Sequence, residues 1–329
     1  MRRRSSRYGA VAVIALALAL VATACSSDDE ASGEDFRMAV VAPSAENDLA
    51  FTQSIVDAVN VVAEDRGITD VAVTDLTFVV EDAAAAIRDY ASQGYDLVIA
   101  HGSQYGGSLV EIAPDFPETS FAWGTAADTF DLDNVYSYEA ASDQGGYVMG
   151  VLGGALTASN TVGIVGPIET GDAKLYVDGY ALGVAAENPN ADVLITYTGS
   201  FSDVALASET AQAHLSAGAD VLTGTAQMVV GAVSVADSAA VPWFGTQANQ
   251  TSLAPDIVVA SQVYHWEVIL EEILDKIGDG TLGGEIYSID FENEGLVLEY
   301  NDAFDLPDDV KAKADEAIDA IKDGSVTTK

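Results

Sequence analysis

Two short polar side chains, Asn47 and Asp48, and one aromatic ring, Phe51, sit together in MAVVAPSAENDLAFTQSIVDAV, residues 38–59. An amide offers donors and acceptors, an ionised carboxylate offers acceptors only, and a ring offers a flat apolar face. These are means of holding a small polar molecule rather than of breaking a bond in it. The same residues have a plainer reading, with Asn47 or Asp48 capping a helix and Phe51 serving as a core ring. Both readings are open from this segment alone. The rest of the chain adds no reaction centre. His101, His214 and His265 lie far apart, without partners at metal-ligand spacing. His101 could bond a ligand or a backbone carbonyl, and His214, inside a helical pattern, reads as a surface residue. There is no P-loop, dinucleotide fingerprint or Gly-x-Ser-x-Gly elbow. Ser103 is a neighbour of His101 in sequence, which does not supply nucleophile–base geometry. The 52 acidic residues are so dispersed that no catalytic pair stands out. No metal, cofactor or enzymatic activity is expected.

The elements that must carry these residues follow from periodicity. MAVVA is an apolar run. Ile55, Val59 and Val62 then recur at helical spacing until Gly67 stops the pattern. A strand hands over to a helix, and the polar pair sits in the loop between them. The arrangement returns in TVGIVGPIETGDAKLYVDGYALG, residues 161–183, where Pro167 matches Pro43 and Asp172 matches Asp48, each 124 positions on. SQGYDLVIAHG and SAGADVLTGTA match at the same offset through Gly94 with Gly218 and Asp96 with Asp220. TSFAWGTAAD and AVPWFGTQAN follow, with Gly124 and Gly245 offset by 121. EDAAAAIRDYASQG reads as a helix, and EIYSIDF and GLVLEY as late strands. Strands alternating with helices imply parallel sheets covered on both faces, with ligands bound beyond the carboxyl ends of the strands. The chain reads as two similar α/β halves.

At the N-terminus, Arg2, Arg3, Arg4 and Arg7 precede an apolar stretch from Gly9 to Ala22, which is short for a spanning helix. Small residues and the sole cysteine, Cys25, follow. This pattern reads as a lipoprotein signal, residues 1–24, cleaved to leave lipid on Cys25, with an acidic tether over 25–35. Ala22 stands where such signals usually carry Leu, and a plain secretory signal is the alternative. A single cysteine excludes an intrachain disulfide. The formal charge is −39, and because four of the 13 basic residues lie in the signal, nine remain against 52 acidic ones, or −43. Such a chain repels nucleic acid and anionic lipid. Its dispersed acids read as a solvating surface.

NDLAFTQS, YDLVIAHGSQYGGSLVEIAPDFPETSFAW, NVYSYEAASDQGGYVMGVLGG, VGIVGP, NPNADVLITYTGSFSDVALASETAQAHLSAGADVL and FGTQANQ occur in that order. The ordered set resembles the basic-membrane-protein (BMP) family of substrate-binding lipoproteins, which serve ABC importers and include purine nucleoside receptors. The resemblance covers nearly all of the mature chain. It implies a type I periplasmic-binding-protein fold: two similar α/β lobes with parallel sheets and a ligand cleft between them. Lobe one is expected over roughly 36–142 plus about 265–283, and lobe two over roughly 143–263 plus about 284–329.

Carried over residue by residue, the resemblance puts Asn47 and Asp48 at the ligand, with Phe51 stacking on a base. AHGSQYGG supplies His101, Gln104 and Tyr105. TGSFSD supplies Phe201 and Asp203, the latter also readable as a helix cap. Gln227 follows a strand and faces the cleft by position. The sequence departs from nucleoside-binding relatives at two points. FGTQANQ has Gly245 and Gln247 where those relatives carry Gly-x-Asp, whose carboxylate grips the ribose. Tyr264 stands where they carry lysine, with Trp266 following. The implied protein is a lipid-anchored receptor on the extracytoplasmic face of the cell membrane. Its expected partners are an ABC permease and a flat, nitrogen-rich ligand, a nucleobase or nucleoside-like molecule. A free base or modified nucleoside suits the departures better than ordinary adenosine or guanosine. A sensory receptor of the same fold and a lipid-anchored α/β hydrolase are the alternatives.

Overall fold

The computed structural model describes residues 36–329; the signal and the whole tether, Cys25 included, lie outside the described residues. The first half runs β1 (Arg37–Val41), α1 (Phe51–Arg66), β2 (Asp70–Thr74), α2 (Val80–Ser92), β3 (Leu97–His101), α3 (Gly106–Ile112), β4 (Ser120–Gly124) and β5 (Val135–Ala140). The second runs α4 (Ser142–Leu156), β6 (Thr161–Gly166), α5 (Gly171–Glu187), β7 (Asp192–Tyr197), α6 (Val204–Ser216), β8 (Val221–Gly224), α7 (Val230–Ala239), β9 (Trp243–Gln247) and β10 (Val258–Tyr264). The chain ends with α8 (Glu267–Gly278), β11 (Ile286–Ile289), β12 (Leu296–Tyr300) and α9 (Asp308–Lys322).

Two six-stranded sheets result, ordered β11-β5-β4-β3-β1-β2 and β12-β10-β9-β8-β6-β7. All their pairings are parallel except β10 with β12. β3 and β4 are buried along their whole length, as strands covered on both faces must be. The sequence repeat is a repeat of register. Val40 lies between Val73 and Ile99, and Ile164, 124 positions later, lies between Ile195 and Thr223. The paired aspartates do matching work. Asp96 accepts from the Arg37 N–H at the start of β1, at 2.8 Å. Asp220 accepts from the Thr157 hydroxyl and the Ala158 and Ser159 N–H groups just before β6.

The chain crosses between lobes three times, at β5–α4, β10–α8 and β11–β12. The last crossing corrects the expected division. Residues 284–329 do not all fall on the second lobe, because Ile286–Ile289 pair with Ser137–Ala140 in the first sheet. Only β12 and α9 sit with the second. A lone edge strand recruited from the far end of the chain leaves no local pattern that assigns it to a lobe.

The first crossing leads into the tightest contact of the second lobe, α4 against α5. A Cβ at Gly146 or Gly150 would overlap the carbonyls of Tyr176 or Tyr180, and one at Gly179 or Gly183 those of Asp143 or Tyr147. Glycines on both helices let the backbones touch. His214, expected at the surface, is buried instead. α6 lays it over Gly163 of β6, where a missing side chain leaves room, and its Nε2 meets the Thr196 hydroxyl at 2.9 Å.

Gly183→Ala is expected to lower stability by about 1–3 kcal/mol through overpacking. Gly107→Ala, in open space on α3, should raise it by about 0.5 kcal/mol. Urea midpoints of the two variants test the contrast.

Candidate functional site

The carboxyl ends of the two sheets face one another across a cleft holding about 460 Å³ of space, solvent included. Lobe one lines it with Pro43 after β1, Phe78 after β2, Gln104 after β3 and Thr125 after β4, together with Phe51 from the first turn of α1. Lobe two contributes Asp172 after β6, Phe201 after β7, Gln227 after β8 and Gln247 at the end of β9. Among the described residues, no lysine or arginine lines it.

The Phe51 ring is backed by an aromatic column. It stacks on His101, with centroids 4.1 Å apart and planes 27° from parallel. Behind His101 come Tyr138 and Trp266, and Trp266 meets Tyr264 edge-on at 5.2 Å. His101 Nε2 lies 3.2 Å from the Phe51 carbonyl, which only accepts, so this nitrogen carries the proton. Nδ1 therefore accepts from the Tyr138 hydroxyl at 2.7 Å. Burial drives the imidazole down from 6.5 to about 3, so it is neutral. His101 thus spends both nitrogens on the protein and acts on the cleft through Phe51.

The expected residues divide accordingly. Phe51, Gln104, Phe201, Gln227 and Gln247 meet at the cleft, and the others do not line it. Asn47 is exposed. Asp48 caps α1: its carboxylate accepts from the Ser44 hydroxyl and the N–H groups of Ala50, Thr52 and Gln53. Tyr105 is fully buried and donates to the Thr77 carbonyl at 2.9 Å. Gly245 sits within β9, its missing side chain leaving room for Ser261 and Gln250. Tyr264 accepts from Gln262 at 3.1 Å, and Trp266 donates to the Ser54 hydroxyl at 3.0 Å. Asp203 caps α6 by accepting from the Leu206 N–H. Apart from the exposed Asn47, the displaced polar side chains have found partners inside the protein.

Several cleft residues escaped the sequence reading, Phe78 and Thr125 among them, and the charged one is Asp172. Asp172 is 8% exposed. Its Oδ1 accepts from the Thr125 hydroxyl of the other lobe at 3.3 Å, while Oδ2 is buried without a partner. Burial pushes the carboxyl up from 3.8 to about 6, with Thr125, the Ala173 N–H and Gln247 pulling the other way. The signal that could have found it was already present: the repeat equates Asp172 with Asp48.

A family profile described as ABC transporter substrate-binding protein, PnrA-like, matches residues 36–328. A purine-binding protein of Brucella abortus is 26% identical over 245 residues, covering 74% of this chain and 69% of that protein. An ABC transporter nucleoside-binding protein of Lactococcus lactis, BmpA, is 26% identical over 353 residues, covering 98% of each. The solved structure of an ABC transporter solute-binding protein from Conexibacter woesei superposes with a TM-score of 0.73 at 26% identity, covering 89% of this chain and 98% of that one.

The Asp172 shift has a defined sign. The folded state holds this proton more tightly than the unfolded state, so the group's contribution to stability is complete below about pH 3.8. It is lost as pH rises through about 6. At about 1.4 kcal/mol per pH unit, the ionised carboxylate costs about 3 kcal/mol at neutral pH. Asp172→Asn should therefore raise Tm at about pH 7.5 and leave it nearly unchanged at about pH 4. His101 acts in the opposite direction: its contribution is present above 6.5 and lost as pH falls toward about 3. The acid limb of the melting profile should persist in the variant.

Proposed function

The chain belongs to the Bmp family of PnrA-like ABC transporter substrate-binding proteins, and from that premise we propose that it closes on a flat, neutral, nitrogen-rich molecule, a nucleobase or nucleoside-like ligand, and hands it to a permease. One observation carries this reading. The cleft pairs the rings of Phe51, Phe78 and Phe201 with the neutral amides of Gln104, Gln227 and Gln247, and no cation lines it among the described residues. Rings suit a planar ligand, and amides can match either donors or acceptors on its edge. A phosphate would meet no positive charge there, only Asp172. The names of the Brucella and Lactococcus relatives point to the same ligand class. With Gln247 where the family resemblance implies a ribose-gripping carboxylate, and Tyr264 buried beside Trp266, a free base or modified nucleoside is favoured. In this reading the ligand is bound and returned unaltered, and no nucleophile–base pair borders the cleft among the described residues.

The protein acts on the extracytoplasmic face, held there by lipid on Cys25. No helix among the described residues is long and apolar enough to cross a membrane; the reading of an anchor rests on the N-terminal signal pattern that ends at Cys25. Cys25→Ser is expected to move the protein from the membrane to the soluble fraction, and unchanged retention would refute the anchor.

Calorimetry against nucleobases, nucleosides, sugars and amino acids tests the ligand class. Phe51→Ala and Phe201→Ala should each weaken binding by about 1–3 kcal/mol through lost stacking, while Asp203→Asn should leave affinity unchanged. Solution scattering should show compaction on binding. Tight binding of an amino acid or sugar, with no purine or pyrimidine bound, would overturn the proposal.

A further inference from the structure

Two acceptors at the cleft have no use within the protein. Asp172 Oδ2 and Gln247 Oε1 are both buried without a hydrogen-bond partner, on residues 8% and 2% exposed. Both residues line the cleft, and the Gln247 side chain lies close enough to Asp172 to favour its ionised form. Leaving a buried acceptor unpaired is costly, and one that carries charge costs more.

The two are also set in place by backbone. Asp172 is in the first turn of the 17-residue α5, where the helix dipole favours negative charge. Gln247 ends β9 with φ +76°, a conformation few non-glycine residues adopt, and such departures gather at ligand sites. The other Asp172 oxygen is engaged by Thr125 from the facing lobe, so the carboxylate stands at the seam where the lobes meet.

We propose that Asp172 and Gln247 form an acceptor pair that selects a ligand presenting two neighbouring hydrogen-bond donors. The ring N–H and amino group of a guanine-type edge, or the vicinal hydroxyls of a sugar, have this chemistry. An adenine-type edge has an acceptor at its ring nitrogen and would set that lone pair against a carboxylate. The pair also explains how a cleft with glutamine in the Gly-x-Asp position retains a charged acceptor: the carboxylate comes from beyond β6, on the far side of β8 in the same sheet. The inference rests on the cleft being the ligand site, and it deepens the nucleobase reading by naming the edge that is read.

The test is calorimetry on the full mature protein with guanosine, inosine, 2′,3′-dideoxyguanosine, adenosine and ribose, repeated for Asp172→Asn and Gln247→Met. Thermal melting confirms that each variant folds. Guanosine should lose about tenfold to a hundredfold in affinity for each variant. Either inosine, lacking the amino group, or dideoxyguanosine, lacking the hydroxyls, should be the poor ligand of the wild type, and the variants should barely change its binding. The first result assigns the pair to the base edge, and the second assigns it to the sugar. Folded variants that keep wild-type affinity and preference would overturn the acceptor pair while leaving the flat-ligand reading intact. If only ribose bound, the nitrogen-rich reading would fall; the pair would stand if Asp172→Asn abolished that binding and fall if it did not. Binding of none of the five would overturn both.

Discussion

A neutral imidazole holds the binding face of lobe one together. His101 ends β3 and gives its one proton to the carbonyl of Phe51 at the start of α1, while accepting from Tyr138 of β5. Three elements distant in sequence are joined through five ring atoms. A protonated ring would reverse the Tyr138 bond, turning that hydroxyl's proton away from it, and would place a charge against Phe51; burial prevents this by holding the group near 3. With His101 fixed, Phe51 has a rigid backing. Trp266 edges against the same column where the chain crosses back to lobe one. The surface a ligand would stack on is therefore continuous with a hinge crossing.

The two lobes began as one pattern and now use it differently. Asp48 and Asp172 occupy equivalent places beyond the first strand of each half. Asp48 is consumed by four hydrogen bonds that cap its helix and tie down its loop. Asp172 has one side-chain bond, made across the cleft, and an oxygen left over. Capping is a local need that any short acceptor meets. A partly satisfied carboxylate at a lobe interface stabilises nothing on its own and is consistent with a role in binding. In a chain of net charge −39, the cleft has this single lining carboxylate among the described residues. The dispersed surface acids set the solubility, and Asp172 sets the electrostatics of the site.

Glycine sets how closely the second lobe can pack. α4 and α5 touch through their backbones at Gly146, Gly150, Gly179 and Gly183. This brings the start of α4, the first crossing segment, against the start of α5. The Ser142 hydroxyl donates to the Asp172 carbonyl there at 2.6 Å. The position of the one charged cleft residue therefore depends on a helix contact that tolerates no added methyl group.

Short-range pattern was enough to read the alternation of strands and helices, the α1 stop at Gly67, where φ is +69°, and the doubling of the fold. Hydrophobic period and turn residues record a segment's own conformation, and a 124-residue offset is visible without knowing what touches what. Environment was not legible. Tyr105 and Trp266 look like cleft rings and are buried core. Asp48 looks like a ligand residue and is a cap. Asp172 shows no local mark and is the lining carboxylate. Whether a polar group is free or spent depends on neighbours such as Thr125 and Gln247, which come from other strand ends 47 and 75 positions away. β11 joins the first sheet for the same kind of reason, since edge pairing is decided by which strand lies beside it in space. The sequence by itself determined the elements and their repetition, because those arise from neighbours along the chain. Only the tertiary structure decided which side chains remain unsatisfied at the cleft, because satisfaction is a property of neighbours in space.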